Sequence, residues 1–262
     1  MISSFPIRAF KAVLPNKTKI LALIPARGGS KSIPRKNLLP LLDKPLIAWS
    51  IQHALHSKYI NRVIVSTDDE EIRDVAIKYG AEAPFIRPEE ISQDLSTDLE
   101  CFTHALNWLD DAEKYQPSLV VHLRPTGPAR IISNIDNAIS LFLENMDCDS
   151  LRSVSLADQT PYKMWLHRDN RLTPAMNSDL DLSSTPRQQL EKVYWQNGYI
   201  DIVKPKTILD LQSMTGKNVL PFIINNIKDI DYFHDIPIVE EQLKKIVSGE
   251  PNDEQEEDFY SV

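Results

Sequence analysis

The stretch from Ile20 to Leu38 constrains this chain more than any other. An apolar run, Ile20 to Ile24, has the length of one buried strand. It leads into Pro25-Ala26-Arg27-Gly28-Gly29-Ser30-Lys31, and shortly afterwards into Arg35-Lys36-Asn37. A strand that ends in a glycine-bearing, cation-rich loop is a device for holding phosphate. The glycines let backbone N–H groups approach an anion closely, and Arg27, Lys31, Arg35 and Lys36 supply charge. A basic surface turn has the same composition, so the loop alone does not name a ligand. Two common phosphate loops are excluded. A Walker A loop needs glycine immediately before its lysine, and another five residues earlier; Ser30 and Pro25 stand there. The dinucleotide fingerprint G-x-G-x-x-G fails because Gly28 and Gly29 are adjacent and no third glycine follows.

The alternation downstream argues for an α/β sheet. Pro45 to Ser57 has apolar residues at helical spacing, and Arg62 to Thr67 is a β-branched strand. Ile72 to Tyr79 reads as a helix, with acids at its first turn and Gly80 beyond its end. Of Asp68 the sequence leaves two readings, a helix cap or a third acid near a metal, and the cap is preferred. Ala83 to Arg87 reads as a further short strand, Leu99 to Ala112 as a helix, and Ser118 to Leu123 as an apolar strand. Ile131 to Asn145 is a helix with Ile132, Ile135, Ile139 and Phe142 on one face. The loops at 25–37, 66–69 and 124–130 all follow strands, so they can share one cleft at the carboxyl edge of a parallel sheet. Ser150 to Ser155 and Val193 to Val203 read as later strands. Between them, 157–192 is irregular and rich in proline, which marks a functional excursion or an interface. Gly198 inside the second of these strands marks a bulge or a close approach to ligand.

Composition narrows the function classes. Net charge is −8 over 262 residues, but six acids lie between Glu250 and Asp258 with no Lys or Arg among them. The body is nearly neutral, which argues against a nucleic-acid binder. No apolar run reaches the length of a membrane span. Cys101 and Cys148 lack metal or redox spacing and read as buried thiols of a reducing compartment. Met1 to Lys19 lacks a signal-peptide core. The expectation is a cytoplasmic protein with an arm at 1–19, one domain at 20–248 and a disordered acidic tail at 249–262.

Asp229 and Asp231 stand two apart near the end of the run from Pro221. In a strand that spacing puts both carboxylates on one face. Together with phosphate oxygens they make a fitting Mg²⁺ site; a pair of exposed strand-end acids is the other reading.

The ordered set of motifs resembles the acylneuraminate cytidylyltransferases, the CMP-sialic and CMP-nonulosonic acid synthetases. The resemblance covers roughly Ile20 to Ile246. It rests on IPARGGSKSIPRKN at 24–37, VSTDD at 65–69, IRPEEIS at 86–92, RPTGPAR at 124–130, TPYK at 160–163, TPRQQL at 185–190, NGYIDI at 197–202 and DID at 229–231. It implies a mostly parallel, Rossmann-like nucleotidyltransferase sheet with helices on both faces. It also implies a homodimer in which 157–192 is the dimerisation and sugar-binding excursion. Arg27, Ser30, Lys31 and Lys36 match positions that hold and activate the triphosphate, within a motif that includes Gly28 and Asn37. Arg87 matches a nucleotide-side arginine. Asp229 and Asp231 match the metal-binding acids, with Asp231 a possible aid to deprotonation. Arg187, Gln188 and Asn197 match the sugar side, and Lys163 a lysine that crosses the dimer interface. The implied reaction is attack by the anomeric hydroxyl of a nonulosonic acid on the α-phosphorus of CTP, with Arg27, Lys31, Lys36 and Asp231 as the catalytic set. The CMP-sugar would serve surface glycan synthesis.

Two departures fall on the acceptor side. The family usually reads QPTSPLR where this chain has Arg124 to Arg130, so Arg124 makes a neutral wall cationic. It usually has tyrosine where Asp201 stands. The alternatives are transfer to another acid sugar such as 3-deoxy-manno-octulosonate, and a nucleotide-binding protein without turnover.

Overall fold

The structure, a computed structural model, describes residues 18–176, 181–225 and 227–249. Nearly all of the expected arm and acidic tail lies outside the described residues. In chain order the main elements are β1 (Ile20–Pro25), α1 (Leu46–His56), β2 (Arg62–Ser66), α2 (Glu70–Lys78), α3 (Asp98–Glu113), β3 (Leu119–His122) and α4 (Ile132–Glu144). There follow β4 (Ser150–Leu156), β5 (Trp165–Arg168), β6 (Arg171–Pro174), β7 (Tyr194–Val203), α5 (Pro205–Leu209), β8 (Val219–Ile223) and α6 (Ile236–Ser248).

Six strands form one sheet in the order β8-β4-β7-β3-β1-β2. β1 is parallel to β2 and β3, and β8 is parallel to β4. β7 alone runs antiparallel, between β3 and β4. The sheet is therefore mixed but mostly parallel. Successive side chains of a strand point to opposite faces, and β1 feeds both. Ile20, Ala22 and Ile24 pack with α1, α2 and α4. Leu21 and Leu23 pack with α3 and with Ile208 of α5. A strand buried on both faces needs the continuous apolar run that Ile20 to Ile24 provides. Fully burying each large side chain there contributes about 1.5–3 kcal/mol.

The helices start where local chemistry lets them. The Asp69 carboxylate accepts the Ile72 N–H at 3.0 Å and caps α2. Thr97 and Glu100 cap α3 reciprocally, the arrangement that satisfies two otherwise orphaned donors. α6 begins with a proline in its first turn and ends on Gly249 at φ 71°. It packs Val239 and Leu243 against Ile33, Leu41, Trp49, Ala129 and Ile230. This third cluster ties the carboxyl-terminal helix to the first loop.

Three expectations are corrected. Ala83 to Arg87 is not a strand; only Glu82 bridges to Ile64. Pro84 and Pro88 lack N–H donors, and a ladder cannot propagate through them. The cap of α2 is Asp69, not Asp68. Asp229 and Asp231 do not lie in a strand, because β8 ends at Ile223 and the chain beyond it is unpaired. Within the excursion, β5 and β6 form a separate exposed hairpin. Four residues of it, 177–180, lie outside the described residues.

Candidate active site

The loops after β1 and β3 and the segment leading into α3 converge on one open cleft of about 460 Å³. Arg27, Ser30, Lys31, Lys36 and Asn37 line it from the first loop, Arg87 and Asp94 from the segment before α3, and Asp98 from the start of α3. Arg124 and Thr126 line it from the loop after β3.

The first loop is held from below. Asn37, largely buried, donates from Nδ2 to the Arg27 carbonyl at 2.9 Å. Gly28 N–H donates to Asp68 Oδ1 at 3.0 Å, so this backbone donor already has a carboxylate acceptor. Of the four cations, Arg35 faces away from the cleft. It is bound by Asp69 and Glu71, whose hydrogen bonds hold its proton more firmly than usual. Lys31 pairs with Asp94, and Arg27 Nη2 lies 3.4 Å from the same carboxylate. Lys31, by its hydrogen bond, holds the Asp94 carboxyl below the ordinary carboxylate range. An internal acid therefore sits where two of the loop cations converge. Lys36 Nζ donates to the Ile230 carbonyl at 2.9 Å and lies 3.5 Å from Asp231 Oδ1. That contact joins the first loop to the Asp229–Asp231 segment across 195 residues of sequence.

Arg87 is buried. Its Nε donates to Ser92 Oγ at 3.0 Å, its Nη1 to Cys101 Sγ at 3.1 Å, and its Nη2 lies 3.7 Å from Asp68. Burial pushes the Cys101 thiol up despite Arg87. Cys101 is thus a packed thiol, not an activated one.

Asp229 and Asp231 differ in environment. Asp231 is exposed, and its N–H donates to Asp235 Oδ2 at 2.9 Å. Asp229 is mostly enclosed. Burial raises its carboxyl, Arg130 opposes that, and Asp231 adds to it. Its Oδ1 is buried with no hydrogen-bond partner. The packing leaves room for this carboxylate: a Cβ on Gly127 would stand 2.7 Å from Oδ1. A Cβ on Gly198, at φ 69°, would stand 3.4 Å from Oδ2. Ile230, between the two acids, is fully buried and donates its N–H to the Thr126 carbonyl at 2.8 Å.

Beneath Arg124 lies a charged floor. Arg124 Nη1 and Arg152 Nη1 each lie 2.6 Å from Asp201 Oδ2. Arg124 Nη2 lies 3.3 Å from Asp98. Arg130 is fully buried, donating to the Tyr199 carbonyl, to Ser50 Oγ and to the Arg124 carbonyl. Burial lowers its guanidinium to about 10. His122, also fully buried and flanked by arginines, is held well below its ordinary value and is neutral.

Asp229 and Asp231 line not the cleft but a separate pocket with Trp195 and Lys228, and the remaining sequence-predicted residues also lie elsewhere. Asn197 is buried at the bulge of β7 against β4, where it donates to Ser155 Oγ and the Ile224 carbonyl and accepts from Tyr199 N–H. Lys163 and Gln188 are exposed on the excursion. Arg187 reaches the Ala157 carbonyl at 3.2 Å and lines a separate small pocket with Leu156 and Thr160. None of these four lines the cleft. Sequence reasoning missed Asp94, Asp98, Arg130 and Arg152. Arg130 stood inside a quoted motif, but the other three carried no local signal.

A cation-bearing loop at the carboxyl edge of a mostly parallel sheet, joined through Lys36 to the Asp229–Asp231 segment, is the arrangement expected of a nucleotidyltransferase. A profile of the family described as "Cytidylyltransferase" matches residues 21–190, and the chain belongs to that family. It is 35% identical over 217 residues to an N-acylneuraminate cytidylyltransferase of Escherichia coli, an alignment covering 82% of this chain and 49% of that protein. The chain thus spans about half the length of that relative. It is 31% identical over 220 residues to a pseudaminic acid cytidylyltransferase of Campylobacter jejuni, covering 83% and 93% of the two chains. Among solved structures it resembles CMP:2-keto-3-deoxy-manno-octonic acid synthetase complexed with CTP. The TM-score is 0.64 at 14% identity, over 89% of this chain and all of the other. This likeness carries the fold alone. Among the described residues no helix is long and apolar enough to cross a membrane.

Proposed function

We propose that the protein transfers CMP from CTP to the anomeric hydroxyl of a nonulosonic acid, with release of pyrophosphate. The observation that carries this reading is the contact of Lys36, a cleft residue, with the Ile230 carbonyl and Asp231, which joins the first loop to the segment that bears the two acids. Family membership and the two curated relatives support it.

Arg27, Ser30, Lys31 and Lys36 bind the triphosphate and bear the charge that builds on the departing pyrophosphate. Asp94 yields Arg27 and Lys31 to the nucleotide as it enters. Asn37 keeps the loop in place through the Arg27 carbonyl, and Arg87 supports the nucleotide side. Asp229 and Asp231 fit Mg²⁺. The buried, unpartnered Oδ1 of Asp229 is an oxygen in want of a cation, and hard oxygen ligands suit that ion. No cluster of three metal-binding side chains occurs among the described residues, and an ion held by these two acids would draw its other ligands from water and the nucleotide. When bound, the ion neutralises phosphate charge and polarises the α-phosphorus. Asp231, exposed beside Lys36, is read as a metal ligand that also aids deprotonation of the attacking hydroxyl. No covalent enzyme intermediate is needed. The acceptor side falls to Arg124, Arg187, Gln188 and Asn197. Lys163 acts from the second protomer of a homodimer. A cytoplasmic setting suits the use of CTP.

The test is pyrophosphate release from CTP and Mg²⁺ with N-acetylneuraminate, legionaminate, pseudaminate, 3-deoxy-manno-octulosonate and no acceptor. Release with one nonulosonic acid, abolished in Asp231→Ala, is the expected result. Nucleotide binding without release for any acceptor would instead favour a binding protein.

A further inference from the structure

Arg124 is held in two unlike ways. One arm of its guanidinium meets Asp201, which is only 1% exposed and is gripped from the other side by Arg152. The other arm meets Asp98, a rim carboxylate that is 42% exposed, at the longer distance of 3.3 Å. The buried pair fixes the group; the solvent-exposed pair contributes little and exchanges readily. Arg124 thus presents a fixed fork whose outer arm is satisfied by a replaceable carboxylate.

The floor itself is incompletely satisfied. Asp201 Oδ1, Arg152 Nε and both ring nitrogens of His122 are buried without hydrogen-bond partners. Two cations, Arg124 and Arg152, share the single buried carboxylate, so an anion that takes the place of Asp98 on Arg124 keeps the floor balanced. Its position is also informative. Gly198 separates Arg124 from Asp229: a Cβ there would stand 3.5 Å from Arg124 Cδ and 3.4 Å from Asp229 Oδ2. A 2-ulosonic acid carries its carboxylate and its anomeric hydroxyl on the same carbon. An acceptor whose carboxylate is held at Arg124 therefore has its hydroxyl on the side of Asp229.

We infer that Arg124, displacing Asp98, binds the carboxylate of the acceptor sugar within one protomer, and that Asp201 and Arg152 are positioning residues that aim it. The inference rests on the acid-sugar reading above. It puts carboxylate recognition at the cleft floor and not at Arg187, which lies outside the cleft. The paired, planar geometry of guanidinium and carboxylate supplies the selectivity.

The test measures steady-state kinetics with the best acceptor of the panel, in wild type, Arg124→Gln, Arg124→Lys and Asp201→Asn. Arg124→Gln raises the acceptor KM about 10- to 100-fold while the KM for CTP moves less than about twofold. Arg124→Lys, which keeps the charge but loses the fork, falls between it and wild type, and serves if the glutamine variant fails to fold. Asp201→Asn raises acceptor KM more than it lowers kcat; a merely structural role would lower activity with both substrates alike. A rise in the CTP KM instead, or no change in either KM, overturns the assignment while leaving the reaction in place. Wild type inactive with every acid sugar overturns the reaction, and the inference with it.

Discussion

At the scale of single residues, the site is a set of charges whose neighbours decide their use. Arg35 and Lys36 are adjacent in sequence, yet Arg35 is tied to Asp69 and Glu71 while Lys36 reaches the Asp229–Asp231 segment. Asp229 is the residue with the clearest energetic cost. Its carboxyl is raised by burial, so its contribution to stability is present below the unfolded value and is lost as pH rises through the folded one. Without Mg²⁺, Asp229→Asn is therefore expected to melt higher than wild type at pH 7.5, with the gap closing toward pH 4, and to lose turnover. An equal or lower melting temperature at pH 7.5 would remove the claim that this carboxylate is costly when empty of its cation. The two departures noted at Arg124 and Asp201 illustrate the same point. They are 77 residues apart and form one ion pair.

At the scale of elements, α6 does more than close the fold. It packs Ile230 into a cluster with the first loop and so sets the height of the two flanking acids. Asp235, at its start, accepts from the N–H groups of Asp231 and Tyr232. Burial pushes the Asp235 carboxyl up, but the Tyr232 N–H and Lys228 outweigh it and hold it at about 2. The β5–β6 hairpin has the opposite character. It exposes Trp165, Leu166 and Leu172, with Leu172 at 60%, although apolar side chains on a two-stranded ribbon cannot form a core alone. A homodimer that covers this hairpin is expected, with sedimentation at twice the chain mass. Leu172→Asp should shift it toward monomer and reduce activity. Wild type sedimenting as an active monomer would overturn this.

For the whole molecule, buried histidines set the acid limit of stability. His53 is lowered to about 3 by burial first and by Arg130 second, and His122 lies well below its ordinary value. Both are neutral when folded and gain protons on unfolding. Their contribution is complete above the unfolded value near 6.5 and is lost as pH falls toward the folded values. Each costs up to about 1.4 kcal/mol per pH unit in that window. Urea unfolding between pH 7 and 5 should show this decline, and His53→Leu should flatten it by roughly half. A wild-type stability that does not fall between pH 7 and 5 would show that these rings are protonated in the folded state.

What the sequence determined by itself was whatever depends on neighbours along the chain. The five-residue apolar run of β1, the helical spacing in α1 and α4 and the strand-to-loop order are local patterns, and they place three loops at one sheet edge. Local reading erred where a nearby proline or an absent strand partner decided, at Ala83 to Arg87 and at Asp229 to Asp231. Only the tertiary structure could bring Asp94 to Lys31, Asp201 to Arg124, or Lys36 to Ile230. Charges act through space over a few ångströms, while these partners lie 63, 77 and 194 residues apart. Chain folding therefore chose which acceptor each loop cation meets.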